Sequence, residues 1–495
     1  GVHCADLPER RRPYLIPVRI AAVCDRGHIQ DFPFMEWVHK DHSIISSCSL
    51  RFRAGRSSAS LAGIKISCSC GAERTLAGVF RYDSDTGGAL HELGIDCLGG
   101  RRWLDEPGDS QNPCGEFLRV VQRGASNVYF PNTVSSIYLP LWAEESNAAI
   151  IEAIENPRNW RILTNGLIDG VRIDPSKAGA VAGVLGLDTD DLITIAQRRL
   201  DGVEAEETER TEEEYRKQEY NALSEGRGGP ETELLIEKKD ISCYSEIVQK
   251  YFSEINLVKK LRETRVLTGF TRLLPPDEST NHDRIQRLSL NERPDWLPAV
   301  ITRGEGIFLK LNLEKTEEWS NIEEVKRRIK RQSDSYNQQR TARSQGIRYI
   351  TPKFVLIHTF AHLLINQLAF DCGYGSAALR ERLYCEATPD SDQMHGLLIY
   401  TASGDAEGTM GGLVRQGEPD RLSGTLERAL LKAQWCSSDP VCIESRGQGT
   451  DSANLAACHG CALISETSCE EGNRLLDRAM VIGTPRYPQI GFFNS

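Results

Sequence analysis

The sequence holds no G-x-x-x-x-G-K-[ST] phosphate loop, which excludes nucleotide hydrolysis of the P-loop kind. It also lacks the glycine fingerprint of dinucleotide folds, the G-x-S-x-G nucleophile elbow and an H-x-K pair of the phospholipase D nuclease type. Leu104–Asp105–Glu106–Pro107 has the form of a helicase acidic box, but without a phosphate loop it carries no nucleotide chemistry. No apolar run approaches the roughly 20 residues of a membrane span, and no signal peptide is visible. The chain opens at Gly1 instead of Met, so its first residues carry no reading of targeting. There is no internal repeat. Positive charge is short as well: 59 Lys and Arg against 70 Asp and Glu leave a net charge of −11. Phosphate contacts drive affinity for nucleic acid, so any such contact must come from a local patch or from a basic partner.

At 495 residues the chain exceeds one core, and two to four domains are expected. Its 40% hydrophobic and 26% charged content is that of a globular protein. Fifteen cysteines gather mainly toward the two ends. Disulfide frameworks belong to short secreted chains, so this pattern reads as reduced thiolates holding metal in the cytoplasm.

Four regions follow from the patterning, and together they predict a multidomain α+β protein. Residues 1–145 read as short strands and loops, with a strand from Pro17 to Val23 and a small-residue run from Gly55 to Gly63. Residues 146–270 read as helical. Within them, Glu204 to Glu219 is a glutamate-rich solvated helix or linker, with mimicry of nucleic acid as the functional alternative. Ile247, Val248, Tyr251, Phe252, Ile255 and Val258 have the spacing of an amphipathic helix. Residues 271–350 connect, with Gly304 to Leu313 as a glycine turn feeding a strand and Lys326 to Arg348 basic and helical at first. Residues 351–495 form a C-terminal α/β zinc-binding domain. There Thr351 caps a helix, Pro352 suits its first turn, and apolar residues from Phe354 to Leu368 cover most of its circumference, as in a buried helix. Leu397 to Ala402 is a strand, and Leu422 to Trp435 a helix.

Cys458–His459–Gly460–Cys461 is the strongest chemical signal. A C-x-x-C pair sets two thiolates on one tight turn at the bite a tetrahedral zinc needs. A redox C-x-x-C would follow a strand in a thioredoxin-like unit, and no such unit surrounds this one. Four thiolates are wanted and five are near; Cys442, Cys458, Cys461 and Cys469 are taken as ligands and Cys436 as the spare. With all ligands protein-supplied, the zinc is structural. At the other end Cys68, Cys70, Cys97 and Cys114 make a second candidate set, with Cys24 and His28, Cys48 and Cys4 as rivals and buried free cysteines as the alternative.

Three further motifs carry weaker chemistry. His358 and His362 stand one turn apart, but H-T-F-A-H lacks the glutamate a zinc protease uses as base, so they read as core histidines. A nuclease with its site at these histidines and the Gly404 to Gly412 loop is the enzymatic alternative; otherwise that loop is a tight turn, or a phosphate cradle. Lys326, Arg327, Arg328, Lys330 and Arg331, with Arg340, Arg343, Arg348, Tyr336 and Tyr349 nearby, are candidates for nucleic-acid binding or else a solvated face.

Two long stretches resemble a known family. The run from His358 through A-A-C-H-G-C-A-L-I-S-E-T-S-C-E and N-R-L-L-D-R looks like a C-terminal domain also found with bacterial helicases of the MrfA type. C-D-R-G-H-I-Q-D-F-P-F-M-E-W-V-H (Cys24 to His39), Q-R-G-A-S-N-V-Y-F-P (Gln122 to Pro131), W-L-P-A (Trp296 to Ala299) and R-G-E-G-I-F-L (Arg303 to Leu309) resemble the DrmB family of the DISARM anti-phage defence system. The resemblance implies a helicase partner, DrmA, a joint role on phage DNA, and cysteine ligands at Cys458, Cys461 and Cys469 with Cys442 fourth. The N-terminal C-x-C departs from the C-x-x-C expected of such a site. The resemblance implies no catalytic residues. An interface with the helicase is expected around Trp296 and Phe308, or else these belong to an internal core.

Overall fold

The computed structural model describes residue 8 and residues 18–54, 61–83, 85–139, 148–200, 211–226, 228–229, 232–276, 284–289, 296–342, 345–375, 377–386, 388, 393–401, 412–449 and 452–494. Cys4, Arg343, most of the Gly404 to Gly412 loop and part of the two runs at Gly55 and Glu204 fall outside them. The fold is mixed α and β, and the chain forms two compact units. One is Gly1–Val134 with Val266–Ala299; the other is Ser135–Arg265 with Val300–Ser495. This division is discontinuous in sequence, unlike the linear one at 145, 270 and 350.

The first unit is built from short antiparallel strands. Ile20–Val23 pairs with Ile29–Asp31 on one side and Arg119–Gln122 on the other. Leu50–Ala54, Ile64–Cys68 and Glu73–Thr75 make a second sheet. Strands of three to five residues bury little, and the core they share around Trp37, Ile66, Leu90 and Leu118 includes Cys24, Cys68 and Cys97.

The second unit opens on four short helices, Ala148–Glu155, Pro157–Thr164, Pro175–Leu185 and Thr189–Leu200, packed around Leu163, Ala178, Ala182, Leu192 and Ala196. Two of them start at an Asn or Asp cap followed by proline, Asn156–Pro157 and Asp174–Pro175, each cap accepting a backbone N–H at 2.9 Å. A capping box of Thr211 and Glu214 starts the helix Glu212–Glu225.

A mixed-length antiparallel sheet follows, in the order Leu235–Lys238, Phe252–Thr271, Ala299–Leu311, His395–Thr401, Leu379–Cys385. It is covered on both faces. Ile307, Leu309, Leu397 and Ile399 face one core with the long helix Pro352–Cys372. Phe308, Leu398 and Tyr400 alternate with them and face Tyr220 and Leu223 of Glu212–Glu225. Full burial of each such side chain contributes about 1.5–3 kcal/mol.

Thr351 caps the long helix as its sequence predicts, its hydroxyl accepting the Phe354 N–H at 3.0 Å. This helix is long and apolar enough to cross a membrane, which corrects the expectation that no such run exists. Its side chains are spent on the core: Val355, Leu356, Ile357, Ala361 and Leu368 have no exposed surface.

Three other expectations need correction. The helical spacing after Ile247 ends at Tyr251, and Phe252–Thr271 is a strand. Its run from Ile255 to Val258, Asn256 included, is buried on both sheet faces, so the strand alternation is lost and the apolar spacing mimics a helical repeat. Gly304 and Gly306 are not a turn but lie inside Ala299–Leu311. A Cβ on Gly306 would meet the Ile399 carbonyl oxygen at 2.9 Å, so glycine there admits the neighbouring strand. Phe308 belongs to the internal core, with no exposed surface, whereas Trp296 is 72% exposed.

Candidate metal centres

The C-terminal cluster grows from the end of the helix Pro419–Ala433. Cys436 follows it by three residues, and the Asp439 carboxylate accepts the Cys436 N–H at 3.0 Å. Cys458 and Cys461 share a tight turn in which the Cys458 carbonyl accepts the N–H groups of Cys461 at 3.1 Å and Ala462 at 3.0 Å. Gly460 eases the closing of this turn, since a Cβ there would stand only 3.1 Å from the Ser437 hydroxyl oxygen. The sulfurs of Cys436, Cys442, Cys458 and Cys461 all lie within 4.8 Å of one another. Cys436 to Cys458 is 3.4 Å, and Cys442 to Cys461 and Cys458 to Cys461 are both 3.8 Å. A tetrahedral zinc with bonds of about 2.3 Å sets its sulfurs about 3.8 Å apart, so the donor set fits that ion.

The protein also prepares the charge. Burial raises the Cys458 thiol, but the Cys436 thiol and the Gly460 amide outweigh it and bring it to about 7. Burial and the neighbouring Cys458 push Cys442 up to about 11. Arg478, whose side chain has no exposed surface, donates to the Ala433 carbonyl at 2.6 Å and to both Asp439 oxygens at 2.7 and 2.9 Å. It brings a fixed positive charge to the thiolates.

Spacing placed Cys469 in this set and set Cys436 aside. In space the two exchange roles. Cys469 stands instead beside His358, His362 and Glu381. Only the fold decides between five cysteines of similar spacing.

The N-terminal candidates also divide differently. Cys68 and Cys70 join His39 and Cys48, whereas Cys97 and Cys114 join Cys24 and His28. The first group uses the hairpin between Ile64–Cys68 and Glu73–Thr75, where Gly71 takes a φ of +99° that suits glycine. His39 ends the helix Phe34–Val38, and its Nδ1 hydrogen bonds the Met35 carbonyl at 2.7 Å. Nε2 is thereby turned toward Cys70 at 3.3 Å and Cys48 at 3.4 Å. In the second group Cys24 follows the strand Ile20–Val23, and its turn brings His28 Nδ1 to 3.5 Å from the Cys24 sulfur and 3.6 Å from that of Cys97. The single set expected from spacing is thus two sets of four. His39, not among the candidates read from spacing, closes the run that begins at Cys24.

Lys326, Arg327, Arg328, Lys330, Arg331 and Arg340 lie on the helix Glu323–Ala342, and Arg348 beyond it pairs with Glu471 at 2.5 Å. Arg328 is turned inward: its guanidinium donates to both oxygens of fully buried Asp477, at 2.9 Å for Nη2. Asp477 in turn accepts the N–H groups of Ala456 and Ala479 at 3.2 and 3.1 Å, so Arg328 is an anchor for the loop beside the zinc cluster. Lys326 pairs with Glu323 at 3.7 Å and Lys330 with Asp334 at 2.8 Å, both exposed; Arg327 and Arg331 are exposed as well.

A C-terminal cysteine cluster beside a buried apolar helix defines a zinc-binding domain, and residues 360–462 match the family described as the MrfA Zn-binding domain. Residues 2–130 match a domain of unknown function (DUF8724). Over 513 aligned residues the chain is 31% identical to the DISARM protein DrmB of Bacillus paralicheniformis, an alignment covering 98% of this chain and 83% of that protein. The chain therefore belongs to the DrmB family of DISARM proteins.

Proposed function

We propose that this chain is a non-catalytic, zinc-structured subunit of a DISARM anti-phage complex that works beside the helicase DrmA to engage phage DNA. The observation that carries this reading is the similarity to DrmB along nearly the whole chain. The zinc ligands are Cys436, Cys442, Cys458 and Cys461, with Cys24, His28, Cys97, Cys114 and His39, Cys48, Cys68, Cys70 as two further sets. Each set supplies four protein donors, which leaves no open position for a substrate. Zinc there supplies folding free energy, not reaction chemistry. His358 and His362 have no exposed surface, which weighs against a nuclease site at that place. The cysteines of the described residues are all free thiols, in keeping with a reducing cytoplasm.

DNA contact, in this reading, falls to the exposed side of Glu323–Ala342, to Lys326, Arg327, Lys330 and Arg331, and the helicase supplies the rest. Co-expression of the chain with DrmA tests the pairing. A complex that survives gel filtration, with ATPase activity following the helicase alone, is the expected result. Failure to co-elute, or ATP hydrolysis by the isolated chain, contradicts it.

A further inference from the structure

We infer that His358, His362, Glu381 and Cys469 form a second metal centre in the C-terminal domain, distinct from the four-cysteine cluster, for a divalent ion of the zinc class. Neither His358 nor Cys469 falls within residues 360–462 of the matched zinc-binding domain.

Three separate elements deliver the donors. His358 and His362 are one turn apart on the face of Pro352–Cys372, with ring centroids 4.6 Å apart. Glu381 comes from the strand Leu379–Cys385 and Cys469 from the loop after the cysteine cluster. One ligand atom from each lies within 4.8 Å of every other. His358 Nε2 is 3.3 Å from Glu381 Oε1 and 3.2 Å from the Cys469 sulfur, and His362 Nε2 is 3.4 Å from the same Glu381 oxygen. Tetrahedral bonds of about 2.0–2.3 Å place neighbouring ligand atoms about 3.3–3.8 Å apart, so these distances match the edges of one coordination tetrahedron.

The hydrogen bonds require something positive at its middle. His362 Nδ1 lies 2.8 Å from the Ala462 carbonyl, which can only accept, so Nδ1 carries the proton. Nε2 of the neutral ring then presents a lone pair to a carboxylate oxygen. Two acceptors facing each other repel unless a proton or a cation lies between them. Oε1 also accepts the Glu470 N–H at 3.1 Å, while Glu381 Oε2 and His358 Nδ1 find no hydrogen-bond partner. The Cys469 sulfur accepts the N–H groups of Glu471 at 3.3 Å and Asn473 at 3.2 Å, which fix it beside His358.

A carboxylate and a thiolate side by side, with His358, His362 and Glu381 wholly shut from water, are unfavourable unless a cation compensates them. A single divalent ion with two neutral imidazoles brings that set to charge balance. Sulfur and imidazole donors select zinc over magnesium or calcium. The ion would pin the central helix, the edge strand and the cysteine loop to one point.

Metal counting on the full chain, purified without chelator, tests this. Glu381→Gln and Cys469→Ser should each lose one zinc per chain, and Cys461→Ser combined with Cys469→Ser should lose two. Soluble variants at Glu381 and Cys469 that keep the metal count of the unaltered chain would overturn the inference. Where those variants do not fold, zinc-edge anomalous scattering from crystals of the unaltered chain decides. A peak among the four side chains supports the centre, and flat density there overturns it.

Discussion

Individual side chains in this protein divide between those that face solvent and those that hold loops, and charge alone does not reveal which. Arg327, Arg328 and Arg331 belong to one basic stretch, yet Arg328 is bound to buried Asp477. Arg328→Ala would leave that carboxylate buried without its cation, at a cost of about 3–5 kcal/mol. Thermal melting should register this loss, whereas Arg327→Ala with Arg331→Ala should melt close to the parent. If the latter pair lines a DNA path, each lost duplex phosphate contact should lower the salt slope of binding by about one. Unchanged affinity and slope would assign the two arginines to a solvated face.

His395 offers a pH test away from the metal centres. Burial, with Lys310 and Lys353 nearby, brings its pKa down to about 4. The unfolded chain, with an ordinary value of about 6.5, then binds the extra proton first as pH falls. Stability from neutral His395 is complete above about pH 6.5 and is lost as pH falls toward 4, at most about 3 kcal/mol from this group. His395→Gln should flatten the melting temperature over that window relative to the parent. Parallel curves would show that the imidazole does not titrate as its burial implies.

At the scale of elements, the sheet and the helix Glu212–Glu225 are joined by a buried ion pair. Arg382 donates to the two Glu219 oxygens at 2.5 and 2.6 Å, with both side chains nearly inaccessible. Glu219→Ala should therefore destabilise by about 3–5 kcal/mol, more than a surface change in the same helix, as read by denaturant unfolding. Equal midpoints for the two would show the pair contributes nothing net. The long helix Pro352–Cys372 marks where the sequence was legible. Thr351–Pro352 fixed the start of the long helix because capping is a local chemistry. The strand Phe252–Thr271 was not legible, because burial on both faces erases the period that distinguishes strand from helix. Glu219 sat in a run read as solvated, since nothing local announces that Arg382, far along the chain, will meet it.

Across the whole molecule, the sequence revealed the chemistry of the sites better than their membership. Cysteine type and the C-x-x-C turn pointed to zinc, and the zinc-binding domain bears this out. Which four side chains converge is decided by long-range packing. Cys436 lies 3.4 Å from Cys458, while Cys469, close in sequence, is carried to the central helix. Likewise the N-terminal cysteines sort into two groups only once the hairpin and the Cys24 turn are formed. Short strands alone give that unit little core, so metal should hold it as much as packing does.

The most direct test of this account is the zinc content and chelator response of the native full chain. Elemental analysis should find zinc bound in stoichiometric amount. Cys461→Ser should lose an ion and melt at lower temperature, and strong chelation should unfold the native protein. A native, folded chain that contains no zinc and melts unchanged in chelator would contradict it.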